Sequence, residues 1–531
     1  MKTTNKTHFL LATSAIVSVA AFSATPAFAD VTQTGGSPAV SSPLASGADE
    51  NKDLQLNTVD EKITVEGTRT VGDGATADAS EAIGAKATAG STTLTVENTG
   101  SGAATLTIDG NSTNPTTALQ RETSTGNEFF FVASQVESGE NLIVDIDGPA
   151  NVSADAFNNG GSVTAASTDA NSTIKLDSDV NGSALLNLSG GGSGTSKIVF
   201  DGGSAQTVTG EIFEFNADSS DTGESIVEVS STGGGVTVEG NIGSETNSVF
   251  SGFGSTASAV DKVLVNGGGA FDDLTVEKDV NVGEIVLDTT ANNENADAVF
   301  DGNVTATNGI TLNGDGNTAT ASLTLDGGSA QVVTGAIDST VSGGAGTSLV
   351  IDNASGVTFS DNVGATNGVE TLAVTSGDAI FQGDTGITDS VELNGSSGFE
   401  LAGSESQTVD ATIDGVTTGN GSITVDNTSG ATFNSEIGVG TGNKVGSLTV
   451  TTGESTLEAD ADFYDTVSVA NGHTLTNKAD LTVIGGAGNG TLNVGGELIN
   501  RKNATIDIGG NTTNSGTITN EGLFAFYGPA Q

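Results

Sequence analysis

Three groups of side chains in this sequence are of the types that do chemistry. His473 is the one imidazole after the first 29 residues and could act as a general base. The carboxylate pairs Asp145 and Asp147, Asp272 and Asp273, and Asp460 and Asp462 are of the kind that cleave glycosidic bonds together. Two glycine-permitted turns, Asp145-Ile146-Asp147-Gly148 and Asn313-Gly314-Asp315-Gly316-Asn317, offer the hard oxygen ligands that calcium takes. Asp145, Asp147, Asn313, Asp315 and Asn317 are therefore the candidate calcium ligands.

Each candidate has a plainer reading. His473 follows Gly472 between strand-like runs, the place of a solvated turn residue, and a Ser/His/Asp triad would need that same histidine. With 66 acidic side chains, close carboxylates arise by chance. There is no Trp, and Tyr464 and Tyr527 are the only tyrosines, so stacking platforms for sugars are lacking. Neither turn continues into a twelve-residue EF-hand loop or a nonapeptide calcium array. A general argument for calcium is stronger: acids stacked a few ångströms apart repel, and divalent counter-ions relieve that repulsion. The expectation is a non-enzymatic protein, with calcium as a stabiliser.

Composition narrows the partners. The 531 residues carry 15 basic against 66 acidic side chains, a net charge of −51 that repels phosphate and argues against nucleic acid as a partner. The absence of Cys removes disulfides and thiolate metal sites. Only 15% of residues are charged and 35% are hydrophobic, enough for a buried core. Lys2 and Lys6, the apolar run from Phe9 to Phe22, and Ala27-Phe28-Ala29 read as a signal peptide cut before Asp30. The expected product is exported, with no transmembrane segment.

The elements that would position such residues are short strands. Ile63-Thr64-Val65-Glu66, Leu94-Thr95-Val96-Glu97, Leu323-Thr324-Leu325-Asp326, Ile423-Thr424-Val425-Asp426 and Leu448-Thr449-Val450-Thr451 alternate apolar and polar residues, the period of a strand with one buried face. Helical periodicity is confined to 77–87. Most of the 21 Phe read as core fillers, and the consecutive Phe129-Phe130-Phe131 as a locally buried stretch.

Repeats set the architecture. The run from Ile198 through Phe200-Asp201-Gly202-Gly203-Ser204-Ala205-Gln206 to Ile212 returns as Leu323 through Leu325-Asp326-Gly327-Gly328-Ser329-Ala330-Gln331 to Ile337, and more loosely as Phe399 through Gln407 to Val409. A second motif, Leu349 through Asp352-Asn353-Ala354-Ser355-Gly356 to Phe359, matches Ile423 through Asp426-Asn427-Thr428-Ser429-Gly430 to Phe433. A third, Val299-Phe300-Asp301-Gly302 through Leu312-Asn313-Gly314, matches Ile380-Phe381-Gln382-Gly383 through Leu393-Asn394-Gly395. Between Pro149 and Pro529 no proline interrupts strand pairing.

These features predict an all-β chain: an elongated parallel β-helix, or β-solenoid, built from imperfect repeats, with small and β-branched residues along a narrow core and Asn laddered at the bends. An array of β-sandwich domains is the alternative. Turns of ~20 residues stacked ~4.8 Å apart would make a body on the order of 100 Å long. The expected organisation is a signal peptide (1–29), a flexible leader (30–60), a β-rich region (61–190), the repeat-bearing solenoid (191–465) and a β-helical C-terminal segment (466–531).

The Phe200–Ile212 and Leu325–Ile337 repeats resemble the passenger repeats of rickettsial-type outer-membrane autotransporters, and Gly490 through Asn520 is similar to β-helical adhesin sequence. The resemblance implies a bacterial surface protein acting in surface layers or adhesion. The C-terminal Leu523-Phe524-Ala525-Phe526-Tyr527-Gly528-Pro529-Ala530-Gln531 does not read as the family's translocating barrel, so its anchoring is not carried over. The expected function is a self-assembling surface-layer (S-layer) subunit that contacts itself and an envelope component such as the outer membrane or lipopolysaccharide. An adhesin and a polysaccharide-active β-helix are the alternatives.

Overall fold

The alternation written into the sequence becomes strands in which every second side chain is buried. In the computed structural model, Ser172–Leu176, Ala296–Phe300 and Ala321–Leu325 each bury their first, third and fifth residues. The structure describes separate strands between Thr32 and Ser167. It then describes Asn171 to Tyr527 apart from 189–193, 217–222, 231–232, 244–255, 268–272, 290–293, 316–318, 342–343, 441 and 487–488. The expected signal peptide lies outside the described residues.

One turn shows the plan. Its three strands are Ala321–Leu325, Gln331–Thr334 and Ile337–Ser339; the first two stack in parallel on strands of the turns before and after, and the third on Ile310–Asn313 before it and, through a single parallel bridge, on Val363 after it. The first face can be followed residue by residue. Val236 pairs with Leu274, then Ala298, Leu323, Leu349, Leu372, Val391 and Ile413. The series continues through Ile437 and Ala461 to Leu481, Ile506 and Phe524. Those twelve steps at ~4.8 Å span roughly 60 Å of axis. The chain is an all-β parallel solenoid, and the sandwich array is excluded, since a sandwich is built from antiparallel sheets.

Only two places among the described residues depart from parallel pairing. Thr256–Ser258 runs antiparallel to Ile212–Asn216. At the N-terminal end, Thr32–Gly35 runs antiparallel to both Asp60–Val65 and Ser42–Pro43, which puts Pro43 on the outermost strand, where a missing N–H costs nothing. The 30–60 stretch expected as a leader thus contains short strands, including Leu54–Leu56, which joins the first face. The ladders also cross both expected internal boundaries: Ile174 pairs with Ile198, and the strand Ala461–Val469 spans 465/466. The helix-compatible stretch 77–87 is corrected. Glu81–Ala85 is a strand, paired in parallel with Leu54–Leu56 and Thr117–Arg121. So short a run cannot hold a helix alone, and a ladder on either side gives it partners.

The core is a column of Val, Ile, Leu and Phe with near-zero exposure. Phe200, Phe213, Phe300, Phe359, Phe381, Phe399, Phe433 and Phe463 are fully buried, as core fillers should be. Phe359 and Phe381, register partners on adjoining turns, stack with ring centroids 4.9 Å apart and planes 12° from parallel. Phe399 continues the column 5.2 Å from Phe381. The side chains of Phe129-Phe130-Phe131 lie outside the described residues.

Candidate functional site

The repeated motifs turn out to be corner clamps. In the first motif the glutamine turns inward. Gln331 Nε2 donates to the carbonyl oxygens of Phe300 and Gly302 on the preceding turn, at 2.7 and 2.8 Å. Gln407 does the same to Phe381 (3.1 Å) and Gly383 (2.6 Å), and Gln206 to Leu176 (2.8 Å) and Ser178 (3.2 Å). The second motif supplies the partner on the following turn. Asn353 Nδ2 donates to Gln331 Oε1 at 2.7 Å, and Asn427 Nδ2 to Gln407 Oε1 at 2.6 Å. The Asn carbonyl oxygens then accept from Ser355 N and Ser429 N, both at 2.8 Å, closing the bend. A buried amide left without partners would cost about 1–3 kcal/mol, and the Gln331–Asn353 and Gln407–Asn427 clamps each join three turns.

Two glycine requirements follow. A Cβ on Gly327 would sit 2.5 Å from the Asp301 carbonyl oxygen and 2.8 Å from Gln331 Cδ. Gly356 and Gly430, at the bend of the second motif, adopt φ +85° and +88°, a region that L side chains avoid.

The copies do not lie above one another. Phe200, Leu325 and Leu401 hold the same place in the three glutamine motifs. Yet Phe200 belongs to the ladder that runs through Val229, Val265 and Leu287 to Leu312. Leu325 is on the ladder Phe300–Leu325–Ile351, and Leu401 on the ladder Phe359–Phe381–Leu401. Three copies occupy three faces. The repeating unit is a corner rather than a whole turn.

Further along, the same task passes to asparagine. Asn477 Nδ2 donates to Asn500 Oδ1 at 3.0 Å, and Asn500 Nδ2 to Asn520 Oδ1 at 2.8 Å. This is the expected ladder of Asn at the bends, with Asn477 and Asn500 fully buried.

The two candidate calcium turns lie on different turns of the solenoid. Asp145 lies on Leu142–Asp147 and Asn313 ends Ile310–Asn313. Ile146 and Leu312 share one ladder but are six steps apart, about 30 Å at ~4.8 Å per step. Asn313 donates to Asp288 Oδ1 at 2.8 Å and accepts from the Thr340 hydroxyl, while Asp315 Oδ1 accepts from Ala319 N at 3.1 Å. Both are engaged in shaping bends. The Asp147 side chain and Asn317 lie outside the described residues. Among the described residues no group of three or more His, Cys, Asp or Glu is placed to hold a metal ion.

The other candidates are likewise part of the frame. His473 is half-buried beside Gly472 (φ +88°), and its carbonyl oxygen accepts from Glu497 N at 2.8 Å. Asp460 accepts from Asp480 N, and Asp462 pairs with Lys444, each at 3.0 Å. Asp273 is buried and accepts from Asp297 N at 3.0 Å, while Asp272 lies outside the described residues.

What the stacking does create is rows of carboxylates. Val276, Phe300, Leu325 and Ile351 are successive register partners, so Glu277, Asp301, Asp326 and Asp352 follow one another up one edge. Burial, with Asp326 and Glu277 nearby and only Lys278 opposing, pushes the Asp301 carboxyl above its ordinary value. Burial raises Glu400 in the same way, helped by Asp426 and Asp378, and raises Asp414, helped by Glu392 and Glu436. Residues 279–443 hold 22 Asp and Glu and no Lys or Arg. Outside that span cations bridge adjoining turns, as in Lys175–Asp201 (3.1 Å), Lys478–Glu458 (2.6 Å) and Arg501–Glu521 (3.9 Å).

A shallow depression of about 350 Å³ on the outer surface is lined by Ile143, Asn171, Thr173, Thr195, Lys197 and Ile226, with Lys197 paired to Glu228. No helix among the described residues is long and apolar enough to cross a membrane. Fold and geometry together define a parallel β-solenoid whose buried corner amides bond to its own backbone and to one another. Compared with family models, with curated proteins and with solved structures, the chain matches none.

Proposed function

We propose that this protein is an exported structural subunit of a bacterial cell surface that self-assembles side by side into a coat of the surface-layer type. One observation carries the reading: the strongest sequence motifs, repeated three and two times, hold turns together at all three corners of a long body. A chain selected for shape puts its repeated residues into its shape. The repeats' likeness to surface-layer passengers and the leading signal-peptide pattern support the location. Function would lie in the rod's lateral edges rather than in a single residue, with an envelope component at the anchoring point. The carboxylate rows would collect divalent counter-ions such as calcium between neighbouring rods.

Electron microscopy of intact cells that express the protein tests the proposal. A periodic coat, lost when the gene is deleted, is expected. Sparse spikes without order would favour the adhesin instead, and turnover on a polysaccharide panel would overturn the structural reading.

A further inference from the structure

One face of the body between 422 and 493 is a grid of hydroxyls. Ser422, Ser447, Thr466 and Thr491 are successive register partners, and so are Thr424, Thr449, Ser468 and Asn493, two residues further along the same strands. All eight point outward and are partly exposed, with Ile423, Leu448, Val467 and Leu492 buried between them. Turns repeat every ~4.8 Å and the two columns lie ~6.6 Å apart, so the grid is regular in both directions. None of the eight is charged; Glu400, the partner of Thr424 on the turn before, bounds the second column. The other two faces of these turns are charged. The first presents Asp414, Glu436 and Asp462, and the third Glu454, Lys478 and Glu497. The grid is also free of internal bonds. Among the described residues none of the eight side chains forms a hydrogen bond within the chain, whereas the Thr451 hydroxyl beside them donates to Val425 O (2.9 Å) and Asp426 Oδ1 (3.0 Å).

We propose that this grid binds ice. A hydroxyl both donates and accepts, so each position can stand in for one water molecule of a lattice. The ~4.8 Å step between turns is close to the repeat of oxygen atoms in ice, and the backbone ladders hold it fixed. An ion would orient the water around itself, so the neutral face suits a water lattice and its charged neighbours do not. The threonine methyls add apolar surface that gains from leaving liquid water. Two other occupants fit less well. Four strands by two residues cover roughly 200 Å², against ~800 Å² per partner in a standard protein interface, too little to hold a second copy. A neutral polysaccharide would share the hydroxyl chemistry, but none of the eight residues is aromatic and none can stack on a sugar ring. The inference concerns one face of a single molecule, so it stands or falls separately from the coat.

Freezing assays on the full chain provide the test, with ice itself as the probe. The wild type is expected to open a gap between the melting and freezing temperatures of its solution and to be taken up into growing ice. Thr449→Lys and, separately, Thr491→Lys put a charge into the grid and should abolish both effects, with an unchanged far-UV spectrum. Thr449→Ser keeps the hydroxyl and should retain them. Thr456→Lys, at an outward threonine of the third face, is the control and should also retain them. A wild type that neither opens the gap nor enters ice, or effects that survive both grid lysines, would overturn the proposal, as would equal loss in Thr456→Lys. Retention on cellulose with no effect on ice would overturn it too, and would assign the grid to a sugar polymer.

Discussion

The span 279–443 and the segment 444–527 share one winding but are held differently. The first has no Lys or Arg, stacks Phe359, Phe381 and Phe399 along its axis, and locks its corners with Gln–Asn clamps. The second ties adjoining turns with Lys444–Asp462, Lys478–Glu458 and Arg501–Glu521, and locks one corner with the Asn477–Asn500–Asn520 ladder. The comparison shows that the fold asks only for an inward amide at a bend and an apolar side chain on each face. Charge is free to vary, and in the first span it has varied toward repulsion.

The largest effect should come from the aromatic column. Phe381→Ala removes the middle ring of three and is expected to cost about 3–5 kcal/mol, read as lost hydrogen-exchange protection centred on 357–401 with the C-terminal turns spared. Uniform loss along the whole body would mean that the two regions do not act separately.

Next come the corners. Gln407→Leu should cost about 1–3 kcal/mol by leaving one Asn427 N–H and the Phe381 and Gly383 carbonyls without their partner, and Asn500→Leu a similar amount by cutting the asparagine ladder. Because Gln407 and Asn427 satisfy each other, the double change should cost less than the two single changes added together, with a coupling of about 0.5–3 kcal/mol in denaturant melts. Additive costs would show that the clamp does not work as a unit.

Acidity should separate the regions more gently. Asp301, Glu400 and Asp414 have carboxyls raised above their ordinary values, chiefly by burial and then by like charges. Between the ordinary value and the raised one, the folded chain binds more protons than the unfolded chain. Their contribution is therefore fully present below the ordinary values of 3.8 and 4.5 and is lost as pH rises through the raised ones. Lowering the pH from 7 toward that window should raise protection in 279–443 relative to 444–527, and millimolar calcium at pH 7 should act in the same direction. Melts that coincide in EDTA and in calcium would remove the counter-ion account. The smallest effect is expected from Lys478→Met, within about 1 kcal/mol, since its partly exposed pair with Glu458 is screened by solvent.

Much of the architecture was legible in the sequence because its signals are local. Alternation in Leu323-Thr324-Leu325 and the absence of proline from 150 to 528 are properties of neighbouring residues, and both point to stacked strands. The repeats were visible too, but not their meaning. Gln206, Gln331 and Gln407 stand out as recurring, while their inward turn depends on carbonyls 26 to 31 residues earlier in the chain. The rotation of the copies from face to face was hidden for the same reason, since spacing along the chain does not count corners. At the candidate calcium turns, Asp, Asn and Gly are also what a tight bend requires. Asn313 Oδ1 accepts from Thr340 and Asp315 Oδ1 from Ala319 N.

The central claim is that successive turns stack in parallel about one core. The chain has no cysteine, so two introduced thiols report alone. Thr324 and Val350 are register partners on adjoining turns, 26 residues apart in sequence, with outward, partly exposed side chains. Thr324→Cys with Val350→Cys should be joined almost completely by a short bis-maleimide, as measured by mass spectrometry. Two thiols that stay unlinked in a chain with the wild-type far-UV spectrum would contradict the stacked solenoid.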